Sequence, residues 1–189
     1  MIKKSFLRRG IEYILLLLLA IFVASCGVRN KNSQVYSTPK EKEVTLLRKI
    51  TTIYIDKPKK ALQMLDSAEQ HRLISIEEIQ NLRAMSYFYG LDNPQKALEC
   101  ANKGYSNAIE NVDTLAQLNS LKVLVTVYYM QSHYTEVIIK SNKAIELALK
   151  IKDKESVAFF YMALGSAKSE IDNLNDALDY LNKSIEIYQ

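Results

Sequence analysis

The stretch DKPKKAL at Asp56–Leu62 returns 36 residues later as DNPQKAL at Asp92–Leu98. Both copies read Asp, any residue, Pro, any residue, Lys, Ala, Leu. Two looser copies follow at Ser132–Ile138 and Asp172–Leu178. Self-similarity with a period of 36 to 40 residues is typical of arrays of helical hairpins. The repeated stretch therefore predicts an all-α chain built from about four such units.

Outward from these stretches, the apolar residues recur with the 3.6-residue period of an α-helix. Pro58 and Pro94 fall where the first turn of a helix tolerates proline, because the missing N–H has no intrahelical partner there. Ser75 and Glu78 form a capping box, which marks the start of another helix. The pattern predicts eight helices, near 42–55, 58–72, 76–89, 94–110, 113–131, 134–150, 155–171 and 174–188.

Small residues within the periodic stripes predict where two helices approach closely. Gly165 and Ala177 lie on successive stripes separated by a turn at Asp172-Asn173, so neither helix carries a bulky side chain there. The other units predict core stripes in the same way. These contain Ala61, Leu65 and Ala68; Ala84, Tyr87, Ala97, Ala101 and Gly104; and Leu121, Leu124, Tyr128, Tyr134, Val137 and Ala144.

The last unit, residues 158–189, resembles a tetratricopeptide repeat. Its matching residues are Tyr161, the pair Leu164-Gly165, Ala177, Leu181 and Ile185, with departures at Lys168 and Ser184. The second and third units match at Ala97 and Ala144 but lack the Leu-Gly pair, and the first unit is the weakest. The resemblance covers residues 42–189 and implies an α-solenoid of about four hairpins that forms a right-handed superhelix.

The resemblance also implies a concave groove lined by the first helix of each hairpin. Carried onto this sequence, the partner-binding positions are Asn119, Lys122, Thr126, Tyr129, Phe159, Met162, Ser166 and Ser169. In the second unit the register is ambiguous by one residue, so either Phe88 or Tyr89 faces inward. The pairs Phe88-Tyr89 and Tyr128-Tyr129 occupy matching places, and neighbours on a helix point about 100° apart. One aromatic of each pair could meet a partner, or both could pack between hairpins.

Residues 1–25 resemble a bacterial lipoprotein signal peptide. Four basic residues (Lys3, Lys4, Arg8 and Arg9) precede a short apolar stretch, and Ala24 and Ser25 precede Cys26 as in a lipobox. The resemblance implies cleavage before Cys26 and lipid on that cysteine. The alternative is an uncleaved signal anchor. Residues 26–40 are then a lipidated cysteine and a disordered polar tether, followed by the repeat domain at 41–189.

Charge and composition disfavour several functions. The chain has 25 basic and 21 acidic residues, net +4, but without residues 1–25 the count is 21 and 20. No broad basic surface remains to attract nucleic acid. If Cys26 is lipidated, Cys100 has no partner for an intramolecular disulfide. We therefore interpret Cys100 as a small buried hydrophobe.

Catalytic and metal-binding patterns are also missing. His71 and His133 have no Cys, Asp or Glu at ligand spacing. No Gly-rich phosphate loop or nucleophile elbow occurs. Asp153 and Glu155 are first-turn acids that complement a helix N-terminus. We therefore expect no enzyme, no cofactor and no metal site.

Three functions remain open. The first, which we favour, is a membrane-anchored periplasmic lipoprotein that acts as a protein–protein adaptor in a Gram-negative envelope. We expect its lipid to lie in the outer membrane. The second is the N-terminal sensory segment of a longer envelope signalling protein, a kinase or a DNA-binding regulator. The third is a subunit of an outer-membrane assembly complex. Leu178, Ile185 and Tyr188 would be exposed without a capping helix, which would permit self-association through that end of the array.

Overall fold

The computed structural model describes residues 39–189, which form one compact unit and contain eight α-helices and no strand. The helices are α1 (Pro39–Ile53), α2 (Pro58–Gln70), α3 (Ile76–Met85), α4 (Pro94–Glu110), α5 (Thr114–Met130), α6 (Tyr134–Lys150), α7 (Lys154–Glu170) and α8 (Leu174–Tyr188). The predicted all-α class and the eight helices are confirmed. Because α1 begins at Pro39, the last two residues of the predicted tether, Pro39 and Lys40, are helical.

Short polar side chains cap the starts of α3, α4 and α5, as the sequence predicts at Ser75. The Ser75 hydroxyl accepts a hydrogen bond from the Glu78 backbone N–H at 3.2 Å. Asn93 and Asp113 cap α4 and α5 in the same way, at 3.0 and 2.9 Å. These bonds satisfy backbone donors that have no partner inside the helix. Pro58 and Pro94 stand in the first turns of α2 and α4, which confirms their predicted places.

A left-handed residue terminates six of the helical segments, and none of these residues is glycine. They recur every 20 residues with φ between 48° and 61°, at Arg72, Asp92, Val112, Ser132, Lys152 and Asp172. In the α4–α5 turn, the Asp113 N–H donates to the Ala108 carbonyl at 3.0 Å, the long bond of a Schellman motif. The same bond, to a carbonyl five residues back, recurs in five of the six turns. In the α3–α4 turn the Asn93 N–H donates instead to the Tyr87 carbonyl, six residues back.

Helices that are adjacent in sequence pack as antiparallel neighbours, and three first helices also touch: α3 contacts α5, and α5 contacts α7. Close approach within hairpins depends on glycine, as predicted. A Cβ added to Gly165 would lie 2.7 Å from Leu181 Cγ and 3.0 Å from the Ala177 carbonyl oxygen. Arg83 of α3 pairs with Asp66 and Glu69 of α2, which ties the second helix to the third.

The predicted helix 76–89 is not uniform, because α3 continues into a π-helical turn at Ser86–Gly90. A π-helical turn accommodates one extra residue, which accounts for the one-residue ambiguity at Phe88 and Tyr89. The turn also brings Gly90 against the α1–α2 connection. A Cβ on Gly90 would lie 2.5 Å from both Pro58 Cβ and the Tyr54 carbonyl oxygen.

Most of the predicted core stripes are buried. Ala61, Leu65, Ala68, Ala84, Ala97, Ala101, Leu121, Leu124, Val137, Ala144 and Leu164 are 0% exposed. Tyr87, Tyr128 and Tyr134 are half-buried. On α8, Leu174 is 60% exposed and Ile185 is 54% exposed. Leu178 and Tyr188 are exposed as well, as the sequence predicts for a last repeat without a cap.

Candidate functional site

The eight residues predicted to line a groove lie on α5 and α7, two first helices that contact each other. Six of them are buried in the chain itself: Lys122, Thr126, Tyr129, Phe159, Met162 and Ser166. Asn119 and Ser169 are half-buried. The structure thus gathers the predicted residues on neighbouring helices but leaves only the edges of this set open to a ligand. Their role in binding stays a prediction.

Lys122 is the charged residue of this group, and it is 9% exposed. Burial lowers the pKa of its ammonium, while the charges of Asp153 and Glu155 act in the opposite direction. Its Nζ atom lies 6.0 Å from the centroid of the Phe159 ring, within the range of a cation–π contact. Lys122 is therefore a buried cation: burial disfavours its charged form, and Phe159, Asp153 and Glu155 favour it.

Thr126 and Tyr129 on α5 already have contacts within the chain. The Thr126 hydroxyl donates to the Lys122 carbonyl at 2.8 Å, inside the helix. The Tyr129 ring packs edge-on against Tyr134, with centroids 5.7 Å apart. Tyr129 is 8% exposed, whereas its neighbour Tyr128 is half-buried. Of this aromatic pair, the residue predicted for the groove is the more buried one.

On α7 the predicted groove residues cover the core. Phe159 packs edge-on against Phe160 with centroids 5.2 Å apart, and Phe160 is fully buried. Phe88 and Tyr89 make the corresponding edge contact at 4.9 Å, and both are half-buried. Tyr89 lies close to Tyr54, and burial raises the pKa of its phenol. In the second unit, Tyr89 therefore lies towards the first hairpin.

Asn119 stands at the edge of a polar cleft of about 160 Å³ at the start of α3 and α5. The cleft is also lined by Ser75, Glu77, Glu78, Asn81 and Asp113. Within residues 39–189, the Oδ1 atoms of Asn81 and Asn119 have no hydrogen-bond partner. Burial and the charge of Glu43 raise the pKa of the Glu78 carboxyl. The cleft therefore offers a concentration of acceptor oxygens beside the predicted groove.

The sequence pattern did not connect three neighbouring residues with the predicted groove: Asp153, Glu155 and Asn81. The first two were interpreted only as helix-start acids, and Asn81 has no distinguishing spacing. Asp153 and Glu155 lie about 30 residues from Lys122 in the chain. No local signal could have identified them, since only packing of α5 against α7 brings these charges near the lysine.

In the described part of the chain, no group of three His, Cys, Asp or Glu side chains could hold a metal ion. His71 Nδ1 lies 2.8 Å from the Ser67 carbonyl oxygen at the end of α2. Cys100, which the sequence predicts to be a small buried hydrophobe, is half-buried, and burial raises the pKa of its thiol. A raised thiol pKa is the opposite of what a reactive thiolate requires.

No protein-family model matches this chain, and comparison with curated proteins finds no significant match. Cys26, the predicted signal peptide and residues 26–38 of the predicted tether lie outside the described residues. Between residues 39 and 189, every helix is too short or too polar to span a bilayer.

Proposed function

We propose that this chain is a membrane-anchored periplasmic lipoprotein that serves as a protein–protein adaptor. In this proposal residues 41–189 form a tetratricopeptide-like α-solenoid with a right-handed superhelical path. The solenoid part of the proposal rests on one observation: α3 contacts α5, and α5 contacts α7. Those contacts align the faces of the first helices, so a partner peptide or helix can run across several repeats.

The partner contacts the edges of the groove, because its centre is filled by the chain's own side chains. Half-buried Asn119 and Ser169 mark two edges of the residue set. Lys122 and Phe159 retain 9% and 8% of their surface between those edges. This arrangement favours an extended or helical segment with an apolar face and an acidic group that reaches Lys122.

Site-specific photo-crosslinking in native membranes tests the groove. A benzophenone amino acid at position 119 or 169 is expected to capture the same partner. The matched control is position 142, where Asn142 is exposed on α6. Ser169→Arg should abolish capture from position 119, whereas Asn142→Arg should not. Equal capture from all three positions, or none from 119 and 169, would remove the groove from the proposal.

Lipid anchoring is supported by Ala24 and Ser25 directly before Cys26. We expect Cys26→Ser to release the protein from the membrane fraction, because the lipid supplies the anchor in this proposal. Fractionation followed by an immunoblot measures this. Retention of the serine variant on the membrane would favour an uncleaved signal anchor.

The alternative function, a sensory segment of a longer envelope signalling protein, is favoured by the exposed apolar face of α8, which a following hairpin would cover. The mass of the native protein separates the two. An immunoblot band slightly below 21.6 kDa supports the self-contained lipoprotein, and a much larger band supports the signalling protein.

A further inference from the structure

Exposed apolar side chains concentrate at one end of the helical array. Because neighbouring helices are antiparallel, the α2–α3, α4–α5 and α6–α7 turns lie at the same end. Among residues 39–189, six large apolar side chains in or beside these turns are between 43% and 82% exposed: Leu73, Ile109, Val112, Leu115, Leu149 and Ile151. We call this set the inter-hairpin edge. At the opposite end, the comparable side chains of the described turns are Ile55, Ile171 and Leu174.

Neighbouring hairpins do not cover the middle of this edge. Val112 lies between α4 and α5, which have helices of the array on both sides, and it is the most exposed residue of the set. Ile109 and Leu149 occupy equivalent positions forty residues apart. Ile109 stays 46% exposed although α6 and α7 follow it. The exposure is therefore a property of the interior repeats, and exposed apolar patches of this kind mark interaction sites.

The chain enters the helical array at the same edge. Burial and the charge of Glu43, near the start of α1, raise the pKa of Glu78 at the start of α3, so these two helix starts lie side by side. The starts of α3 and α5 in turn line one cleft. Cys26 precedes Pro39, the first residue of α1, by 13 residues, and a chain of that length reaches at most about 45 Å. A lipid on Cys26 would therefore tether the array by this edge.

Charges of both signs accompany the apolar side chains of the inter-hairpin edge. The exposed charged residues in or beside its turns are the cations Arg72, Lys150, Lys152 and Lys154 and the acids Glu110, Asp113 and Glu155. The Asp113 carboxylate accepts a hydrogen bond from the Ala116 N–H, so it is held at the start of α5. Near-balance of charge means that the apolar side chains must supply most of the affinity for a partner. Long lysine side chains can lie along an apolar surface while their ammonium groups meet phosphate.

We infer that the inter-hairpin edge rests on the phospholipid bilayer, with Val112 and Leu115 inserted among the lipid headgroups. The inference depends on the proposed lipid anchor at Cys26 and adds the orientation of the domain. The apolar side chains stand on three separate turns, so they form no single groove for a partner helix, whereas mobile lipids can close around each of them. A few such side chains bind a bilayer weakly by themselves, and the anchor raises their effective concentration at its surface.

Photo-crosslinking of the full chain in native membranes tests this inference. A diazirine amino acid at position 112 is expected to give about five times more phospholipid adducts, measured by mass spectrometry, than the same amino acid at position 171. Position 171 is the matched control, because Ile171 is an exposed apolar residue in the α7–α8 turn at the opposite end. Equal adduct yields at the two positions, or adducts of position 112 with protein alone, would overturn the inference.

Two substitutions remove the inserted side chains while keeping residue types that the fold already uses. Val112→Asp introduces the residue type that Asp92 and Asp172 provide at other left-handed positions. Leu115→Glu introduces the residue type of Glu155, forty residues later in the first turn of α7. The double variant is therefore expected to fold, which circular dichroism verifies.

In this double variant, a diazirine amino acid at position 149 measures whether the edge still contacts lipid. Its phospholipid adducts should fall about fivefold, because two carboxylates replace the apolar side chains at the bilayer surface. The control variant, Ile171→Asp with Leu174→Glu, adds the same two charges at the opposite end and should leave the yield unchanged. An unchanged yield in the edge variant, or an equal loss in the control, would contradict the inference.

Fractionation of the same samples separates this inference from the proposed anchor. If the wild-type chain sediments with membranes and Cys26→Ser does not, but position 112 gives no excess of lipid adducts, the anchor stands and the inference fails. A wild-type chain found outside the membrane fraction would overturn both.

Discussion

The two helices of the last hairpin, α7 and α8, differ in how they use similar numbers of apolar residues. The first helix α7 buries eleven of its seventeen residues, whereas α8 buries only Ala177 and Ser184. Contacts explain the difference, because α7 is packed against α5, α6 and α8, while α8 packs mainly against α7. An apolar side chain contributes to stability only where a neighbouring element covers it, so the position of a helix in the array matters as much as its composition.

The test with the largest expected effect on stability replaces Phe160, the largest fully buried side chain of α7. Phe160→Ala is expected to lower the free energy of unfolding by about 3–5 kcal/mol, because it leaves a cavity in a fully buried site. Urea denaturation at concentrations where the chain is monomeric measures the loss. Leu178→Ala on α8 is the control and should cost less than about 0.5 kcal/mol. Equal losses would contradict the view that α8 carries little of the core.

The second test concerns the contact between α7 and α8. Gly165→Ala is expected to cost about 1–3 kcal/mol, because the new Cβ would lie 2.7 Å from Leu181 Cγ. Ser169→Ala, at a half-buried position of the same helix, should change stability by less than about 0.5 kcal/mol. In a double-mutant cycle, Leu181→Ala should recover part of the loss. Additive losses would mean that Leu181 is not the side chain that Gly165 accommodates.

A third test extends the comparison to the turns that separate the helices. Val112 follows α4 with φ of 54° and is 82% exposed, and a β-branched residue is strained in that conformation. Val112→Gly should therefore raise the free energy of unfolding by about 0.5–1 kcal/mol. Val112→Ala retains a Cβ and should give a smaller gain. Thermal unfolding of the three proteins decides this, and a loss of stability with glycine would refute the expectation.

The smallest effect concerns a charge near the start of another first helix, α3. Burial and Glu43 raise the pKa of Glu78 in the folded chain above its ordinary value of 4.5. The folded state thus binds the proton more tightly, so the stabilisation by the protonated carboxyl is complete below pH 4.5 and is lost as pH rises through the folded pKa. The difference in stability between Glu78→Gln and the wild type should therefore shift in favour of the variant when the pH rises from 4 to 7.

Unfolding temperatures of both proteins at those two pH values measure the effect. Glu43→Gln is the control for the neighbouring charge and should reproduce part of the change. Parallel pH dependence of the wild type and Glu78→Gln would show that Glu78 titrates at its ordinary pKa in the folded chain.

Local signals account for the parts of the fold that the sequence predicted well. Pro58, Pro94 and the Ser75 cap act within one helical turn, so their effect can be predicted without knowing the rest of the structure. Gly165 is a partial exception: its small size indicated a close approach, and the structure places Leu181 and the Ala177 carbonyl there. The π-helical turn at Ser86–Gly90 had no such signal, and the structure places its Gly90 against Pro58 and Tyr54.

The sequence predicted which helices carry the proposed groove residues, but it did not predict how buried those residues are. The resemblance to tetratricopeptide repeats implied that Lys122 and Phe159 lie on neighbouring first helices, and the 6.0 Å between Lys122 Nζ and the Phe159 ring centroid agrees with that placement. The burial of Tyr129 in preference to Tyr128 was not predictable, since adjacent residues differ only in which neighbouring helix they meet. The charges of Asp153 and Glu155 near Lys122 likewise depend on packing between helices.

By itself, the sequence determined the number of helices, their approximate positions and the all-α class of residues 39–189. Capping, proline placement and apolar periodicity are properties of a few neighbouring residues, and they act in the same way in any surroundings. Only the tertiary structure decided that Ile145 is covered while Ile185, forty residues later, stays 54% exposed. Burial is set by the presence of another helix along the face, and a residue's own sequence neighbourhood does not contain that information.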